Sequence, residues 1–536
     1  MPSSPTDVLL IQPPATKAVE PPLGLAILAG HLRAGGYSVA TIDANLITTL
    51  ALLSPERASQ AAGEDPVTSV RRALKQAEAS LALVRSTQAL TSFSRYATSL
   101  RHLHTLLSLY GGEAERLTLG DYEYDQLSPF APPTLHRLAS GEVTTLFNEL
   151  FAELIVPEVI ARAPHTIALS INYRHQLLPA FELAGMLRRA LPAVKLVAGG
   201  GMITSWRRIL STGEIRLPLF DHLIFGPGEE PLTRLAQGRA MDYLLSGEEI
   251  AFTPDFSGLP LPDYLSPRPV LPLASSRGCY WGRCRFCPEA AAPTHPYGSG
   301  PAQEFPDRLL ALAAKTGIRD FHLTDNAIPV PVLQALAARH GKLHGLRWHG
   351  FVRFERALLD PALVAGLAAS GCTLLQLGLE SGSQSVLEQM AKGTNLIEAA
   401  QILENLRAAG IASYVYVMAG IPGETRHDAE LTRSFLLEHA EKIGFLNLAL
   451  MNLPRDASLL AEAETFAISA TELLATDAPL GLYRAFTSST DWGRDEARRF
   501  LAELKREPAI RTILQRTPPW LTSNHAFFFP PPPRLC

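Results

Sequence analysis

The chain has 536 residues, enough for two or three domains with ample core. Its 47% hydrophobic and 19% charged content is that of a globular protein, and a net charge of −4 argues against nucleic acid or an anionic membrane as partner. The opening Met1-Pro-Ser-Ser-Pro-Thr-Asp7 lacks a signal peptide's basic stretch, and the apolar run 146–161 is broken by Asn148, Glu149, Glu153 and Glu158, so no spanning helix is expected. With five cysteines, three of them clustered, a disulfide framework is not indicated, and the expected location is cytoplasmic.

In chain order, residues 8–11 predict a buried strand. A helix over 22–36 stops at Gly35-Gly36, and a second strand over 38–42 ends at Asp43. Residues 46–164 change character. They are rich in Ala, Leu, Ser and Arg, with helical periodicity around 69–107 and a Pro-rich, acidic loop near 121–133, and they predict a helical insertion that serves as a packing collar or lines a cavity. Alternation then resumes with a strand at 166–170, a helix at 177–189 and a strand at 195–198 opening into Gly199-Gly200-Gly201. A further strand at 221–225 ends in Gly226-Pro-Gly-Glu-Glu230. Such alternation predicts a parallel, doubly wound sheet whose ligands bind beyond the strands' carboxyl ends.

A Pro-rich connector over 254–272 leads into six βα units. Their strands are expected at 270–275, 321–324, 346–354, 373–379, 413–418 and 445–451. This run predicts a partial or full parallel barrel with its chemistry at the strands' carboxyl ends. Residues beyond about 455 read as helical, with a Pro-rich tail at 530–533. The expected boundaries are 1–250 for the first domain, 251–265 for the linker, 266–455 for the barrel and 456–536 for the C-terminal region.

The densest chemical signal is Cys279-Tyr-Trp-Gly-Arg-Cys284-Arg-Phe-Cys287, just after the first barrel strand. Three soft thiolates can hold three irons of a 4Fe-4S cube and leave the fourth iron open to a ligand. Zinc is the alternative, but structural zinc takes four ligands in paired spacing, and only His295 is a nearby spare. Unrelated thiols are the remaining reading.

The barrel half resembles the radical SAM superfamily. The resemblance rests on the three cysteines with Phe286 before the last, Thr324-Asp325-Asn326 after the second strand, and Gly378-Leu-Glu-Ser-Gly382 after the fourth. Gly420-Ile-Pro-Gly-Glu424 after the fifth strand and the stretch Met390-Ala-Lys-Gly393 add to it. Individually these could be strand-to-helix turns or, for Asp325, a helix cap. The first cysteine gap is one residue longer than the family's usual C-x3-C. The resemblance implies a 4Fe-4S cluster on Cys279, Cys284 and Cys287. It also implies S-adenosylmethionine contacted by Phe286, Asp325, Glu380, Ser381, Gly420, Ile421 and Gly423, and a 5′-deoxyadenosyl radical as the reactive species.

The first half resembles the cobalamin-binding domains fused to such barrels, through Pro13-Pro14, Pro22-Leu-Gly-Leu25, Ala29-Gly-His-Leu32 and the strand-end turns. This implies cobalamin contacts from Pro13, Ser170, Gly199, Gly200, Gly201, Gly226, Gly228 and Glu229. In the plainer reading the glycines only make turns in a Rossmann-like sheet. The loop Gln12–Glu20 lacks the D-x-H-x-x-G histidine, so cobalamin is expected base-off with no protein histidine on cobalt; Tyr173, Arg174 and His175 could lie beneath it or in solvent.

The expected fold class is therefore α/β: an N-terminal Rossmann-like cobalamin-binding domain with a helical insertion, then a radical SAM partial (β/α)6 barrel and a mostly helical C-terminal region. The implied activity is a cobalamin-dependent C-methyltransferase acting on a peptide, lipid or small natural product, with a flavodoxin- or ferredoxin-type electron donor. The alternatives are cyclisation, rearrangement or other non-methylating radical chemistry, or a non-catalytic metal-stabilised binding module. No residue stands out as a catalytic acid, base or nucleophile. His525, in an aromatic tail, reads as a packed histidine ahead of a catalytic one.

Overall fold

The computed structural model describes residues 6–248, 253–291, 297–473 and 478–531. Cys536, His295 and the end of the Pro-rich tail lie outside the described residues.

Two six-stranded parallel sheets organise the chain. The first contains β1 (Thr6–Gln12), β2 (Val39–Asp43), β3 (Pro164–Ser170), β4 (Lys195–Gly199), β5 (His222–Phe225) and β6 (Leu244–Ser246), in the order β2-β1-β3-β4-β5-β6. The order reverses between β1 and β3, and a doubly wound sheet opens its ligand crevice at such a switch point. The alternation along β1 follows from the pleat. Val8 and Leu10 face one layer, with Leu25, Ala29 and Leu32 of the helix Leu23–Ala34 and Leu232 of the helix Glu229–Ala236. Leu9 and Ile11 face the other, against Phe181 of the helix Leu177–Ala190 and the inserted residues.

The insertion is built from short helices, Ala44–Leu52 through Ala77–Val84, then Phe93–Leu107 and Pro132–Ser140, with a small hairpin pairing Glu115–Leu117 with Tyr122–Tyr124. Tyr96, Leu100, Leu103 and Leu107 carry its apolar stripe into the same core as Leu9 and Ile11.

The second sheet is the partial barrel: β7 (Val270–Leu273), β8 (Asp320–Leu323), β9 (Arg347–Val352), β10 (Cys372–Glu380), β11 (Ala412–Ala419) and β12 (Phe445–Leu450), paired in sequence order and all parallel. Its outer helices begin at local sequence signals. Asn395 caps the helix Leu396–Ala408, and Thr425 and Asp428 form a capping box on Arg426–Glu438. The tail closes the barrel from within, with Phe527 and Phe528 packed against Val270, Leu374, Tyr414 and Phe445.

Between barrel and tail lies a feature absent from the sequence reading. Leu453–Pro454, Ile468–Leu473 and Tyr483–Ser488 form a three-stranded antiparallel sheet. The helices Arg494–Leu504, Pro508–Leu514 and Thr522–Ala526 follow it, so the C-terminal region is helical beyond this sheet. No described helix is long and apolar enough to cross a membrane.

Candidate cofactor site

The carboxyl ends of the two sheets face one cavity. It holds about 420 Å³, within the usual range of small-molecule sites, roughly 300–1,000 Å³. One wall is the first sheet's rim, with Ser170, Gly199, Gly200, Gly201, Gly226, Gly228 and Glu229. The other is the barrel's, with Ser276, Arg277, Gly278, Thr324 and Asn326. An apolar recess lined by Leu10, Ala168, Val197, Ile224 and Leu28 runs between the first sheet and its helices. Gly200 has to be glycine, because at φ +101° a Cβ would stand 2.5 Å from the Ile171 carbonyl oxygen. Asn172 fixes the same turn by accepting the Gly201 N–H at 3.0 Å.

Seven of the eight residues expected to contact cobalamin line this cavity. Pro13 does not; its carbonyl accepts from Gln176 Nε2 at 2.8 Å. None of the lining residues is a histidine. Tyr173 lines the cavity, whereas Arg174 pairs with Glu123, and His175 pairs with Asp121 and contacts the Tyr122 carbonyl. A buried ion pair crosses the rim, joining Arg277 to Glu229 at 2.8 Å.

The cysteine loop leaves β7 and is pinned at its start. Asp325, after β8, accepts from Ser275 N at 3.1 Å, Ser275 Oγ at 2.6 Å, Ser276 N at 2.7 Å and Ser276 Oγ at 2.5 Å. Three of these donors converge on Oδ1 and one reaches Oδ2, so the carboxylate holds the loop's entry. Burial pushes the Asp325 carboxyl up, against those four hydrogen bonds. Further along, Cys284 is buried, with Cys279 and Cys287 half-buried. Burial pushes the Cys287 thiol up to about 11, with neighbouring Cys284 adding to the rise. Burial likewise raises Cys284, where Lys392 and Arg353 oppose it and Cys279 adds to it. Cys284 thus has both other cysteines as neighbours.

Among the described residues no three His, Cys, Asp or Glu side chains converge enough for a single metal ion. Three thiols on one short loop are soft donors of the kind an iron–sulfur cluster takes.

The other expected S-adenosylmethionine residues ring the barrel's top. Glu380 ends β10 at φ +70°, an uncommon backbone for a non-glycine residue, and its buried carboxylate receives Lys392 Nζ at 2.7 Å. Ser381 Oγ accepts the Ser383 N–H at 3.1 Å and lies 3.2 Å from Thr432 Oγ1. Phe286 packs with Met390, Ile421, Met451 and Phe466, which brings the cysteine loop onto the turn after β11. Glu424 shapes that turn, receiving Gly420 N at 2.6 Å, Ile421 N at 3.3 Å and Trp492 Nε1 at 2.9 Å. Gly423 follows at φ +84°.

Three residues escaped the sequence reading. Arg353, after β9, lies with Nη1 3.9 Å from Cys284 Sγ. Trp281 lies under its guanidinium, 4.1 Å from guanidinium carbon to ring centroid. Arg277 makes the ion pair already described. Each works through a partner 48 or more residues away, which no local spacing reveals.

Residues 273–436 match the Radical SAM superfamily. This segment is a radical SAM domain. Such a domain implies a 4Fe-4S cluster and S-adenosylmethionine, in keeping with the thiolate set above. Curated relatives match parts of the chain. The bacteriochlorophyllide d C-12(1)-methyltransferase of Chlorobaculum tepidum is 26% identical over 193 residues, 35% of this chain and 41% of that protein. The ribosomal protein uS12 methylthiotransferase RimO of Flavobacterium johnsoniae is 35% identical over 114 residues, 20% of this chain and 24% of that protein. The matches thus span about a quarter to two fifths of these relatives. Among solved structures, the radical S-adenosylmethionine methyltransferase TsrM from Kitasatospora setae superposes with TM-score 0.57 at 17% identity, covering 95% of this chain and 90% of that one. A second TsrM structure, with cobalamin and a [4Fe-4S] cluster bound, gives 0.56. The likeness extends the shared fold beyond the radical SAM domain to nearly the whole chain.

Proposed function

We propose that this radical SAM enzyme is cobalamin-dependent and transfers a methyl group to an unactivated carbon. The observation that carries the reading is the single cavity walled by the glycine turns of one sheet and by Ser276–Gly278, immediately before Cys279, of the other. Two cofactors set on these rims would share one reaction space. The likeness to TsrM, solved with cobalamin bound, and to the Chlorobaculum tepidum methyltransferase supports it.

When bound, the cluster with S-adenosylmethionine supplies one-electron chemistry, and cobalamin carries the methyl group. The protein's part is placement. Cys279, Cys284 and Cys287 hold the cluster, while Asp325 fixes where their loop begins. Glu380, Ser381, Phe286 and the Gly420–Gly423 turn hold S-adenosylmethionine at the barrel mouth. The glycines at 199–201, 226 and 228 let the backbone approach a large ring, and the recess of Leu10, Ala168, Val197 and Ile224 takes its appendage. The lining of this first cavity would offer cobalamin no imidazole.

A second cavity of about 560 Å³ adjoins the first and shares Leu23, Gly24, Asn172, Tyr173 and Thr324 with it. Gln12, Lys17, Glu20, Asp43, Asp121 and His175 also line it. We assign the substrate to this cavity, and its charged wall favours a polar peptide or natural product over a lipid chain. A flavodoxin- or ferredoxin-type donor supplies electrons.

The test is an anaerobic, reconstituted preparation given S-adenosylmethionine with a CD3 methyl group. The reading expects about one cobalamin per chain and a product heavier by one labelled methyl. A product that has only lost hydrogen overturns methyl transfer. Cys284→Ala should abolish 5′-deoxyadenosine formation, and unchanged turnover would refute the cluster assignment.

A further inference from the structure

The chain departs from the usual cysteine spacing by one residue, and the residues of that longer gap are all engaged. Tyr280 OH donates to Glu355 Oε1 at 2.7 Å. Trp281 Nε1 donates to the Ala391 carbonyl at 3.0 Å. Gly282 turns the chain at φ +57°, and the Arg283 guanidinium carbon lies 5.2 Å from the Trp281 ring centroid. At their centre is Arg353, only 5% exposed. Its Nε donates to Glu355 Oε1 at 3.0 Å, its Nη2 donates to the Lys392 carbonyl, and its face rests on Trp281. Its remaining arm, Nη1, points at Cys284 Sγ. Opposite, Gly393 leaves room for the indole; at φ +72° its Cβ would meet Trp281 Cζ2 at 2.4 Å.

Two of the guanidinium's five N–H groups and one of its faces are engaged, which fixes its plane, and in that plane Nη1 is directed at a cysteine expected to ligate the cluster. Such a positive donor stabilises added negative charge on a thiolate-bound cluster, and hydrogen bonds to ligand sulfur are among the factors that set cluster potentials. Trp281 enforces the arrangement by covering the guanidinium face that water would otherwise solvate. A shorter gap would have one residue fewer to supply both Tyr280 and Trp281. We propose that Arg353, positioned by the lengthened loop's Trp281, is a tuning residue that makes the radical SAM cluster easier to reduce.

The inference rests on the cluster of the proposed function, and the test separates the two. Wild type, Arg353→Gln, Arg353→Lys and Trp281→Ala are reconstituted in the full chain. Iron and sulfide are counted, and the cluster is titrated reductively under electron paramagnetic resonance. A wild type without a 4Fe-4S cluster overturns the cluster reading itself. With the cluster present, Arg353→Gln should lower the one-electron reduction constant at least tenfold, a fall of 59 mV or more. Arg353→Lys keeps the charge and should recover most of that fall, and Trp281→Ala should fall part-way. A residue that merely packs would change iron retention in all three variants and leave the potential at the wild-type value; that result overturns the inference. If Arg353→Gln holds no cluster, Trp281→Ala decides by the same criterion, with an unshifted potential counting against.

Discussion

Glu424 shows what one buried carboxylate does in the turn after β11. It gathers three N–H donors, from Gly420, Ile421 and Trp492, and in doing so ties the turn to the C-terminal region. Burial outweighs those donors and pushes its carboxyl up to about 7. The sign follows from linkage. The folded chain binds this proton more tightly than the unfolded chain, whose carboxyl titrates near 4.5. The contribution to stability is therefore greatest below about 4.5, and it is lost as pH rises through about 7. Glu424→Gln keeps an acceptor and removes the titration. Between pH 4.5 and 8, wild type should lose roughly 3 kcal/mol relative to Glu424→Gln, measured by denaturant unfolding of the apo protein. Asp43 is also pushed up, to about 6, by burial. It titrates in both proteins, so the difference isolates Glu424. A flat difference across that range would show that the carboxylate does not titrate there.

At the scale of elements, the helix Leu23–Ala34 decides how the two cavities meet. Gly24 lies in its first turn and lines both. A Cβ there would meet only Ser170 Oγ, at 3.7 Å, so the glycine is not required by backbone geometry. Leucine is the better helix former by roughly 0.8 kcal/mol and would fill the junction. Gly24→Leu should leave the melting temperature unchanged or higher while abolishing cobalamin uptake, read as the absorbance of the reconstituted protein; full uptake would remove the cavity from the cofactor's path. The strands around this junction were legible because each is an apolar run ended by a turn signal, as Leu196-Val-Ala198 is by its three glycines. β6 was not, since Leu244–Ser246 is three residues long, too short to show a strand period. The antiparallel sheet at 453–488 was missed for another reason. Ile468–Leu473 alternates weakly, and its pairing with Tyr483–Ser488 depends on a long connection rather than a hairpin turn. The cysteines announced themselves by local spacing. Arg353, 69 residues beyond Cys284, carries no mark in its own segment, because its role exists only once β9 has been laid beside β7 through β8.

For the whole molecule, the proposed function depends on two sheets keeping their rims opposed, and charged contacts join them. Asp255, between the sheets in sequence, accepts Arg33 Nη1 at 2.7 Å from the first half and Lys315 Nζ at 3.0 Å from the barrel. Half-exposed contacts of this kind add modestly to stability. The Arg277–Glu229 pair is different. Glu229 is fully buried at the start of the helix Glu229–Ala236, and Arg277 lies two residues before the cysteine cluster with its side chain 14% exposed. Removing one member of a buried pair typically costs about 3–5 kcal/mol, because the other charge stays in a medium that solvates it poorly; removing both can be near neutral. Glu229→Gln and Arg277→Met should each destabilise by about 3 kcal/mol in urea unfolding, and the double variant should return to within about 1 kcal/mol of wild type. That recovery should not restore the proposed cobalamin binding, since both side chains line the cavity and the double variant changes both. Strictly additive costs in the cycle would mean that the two halves are held by other contacts and that the ion pair only fills the rim.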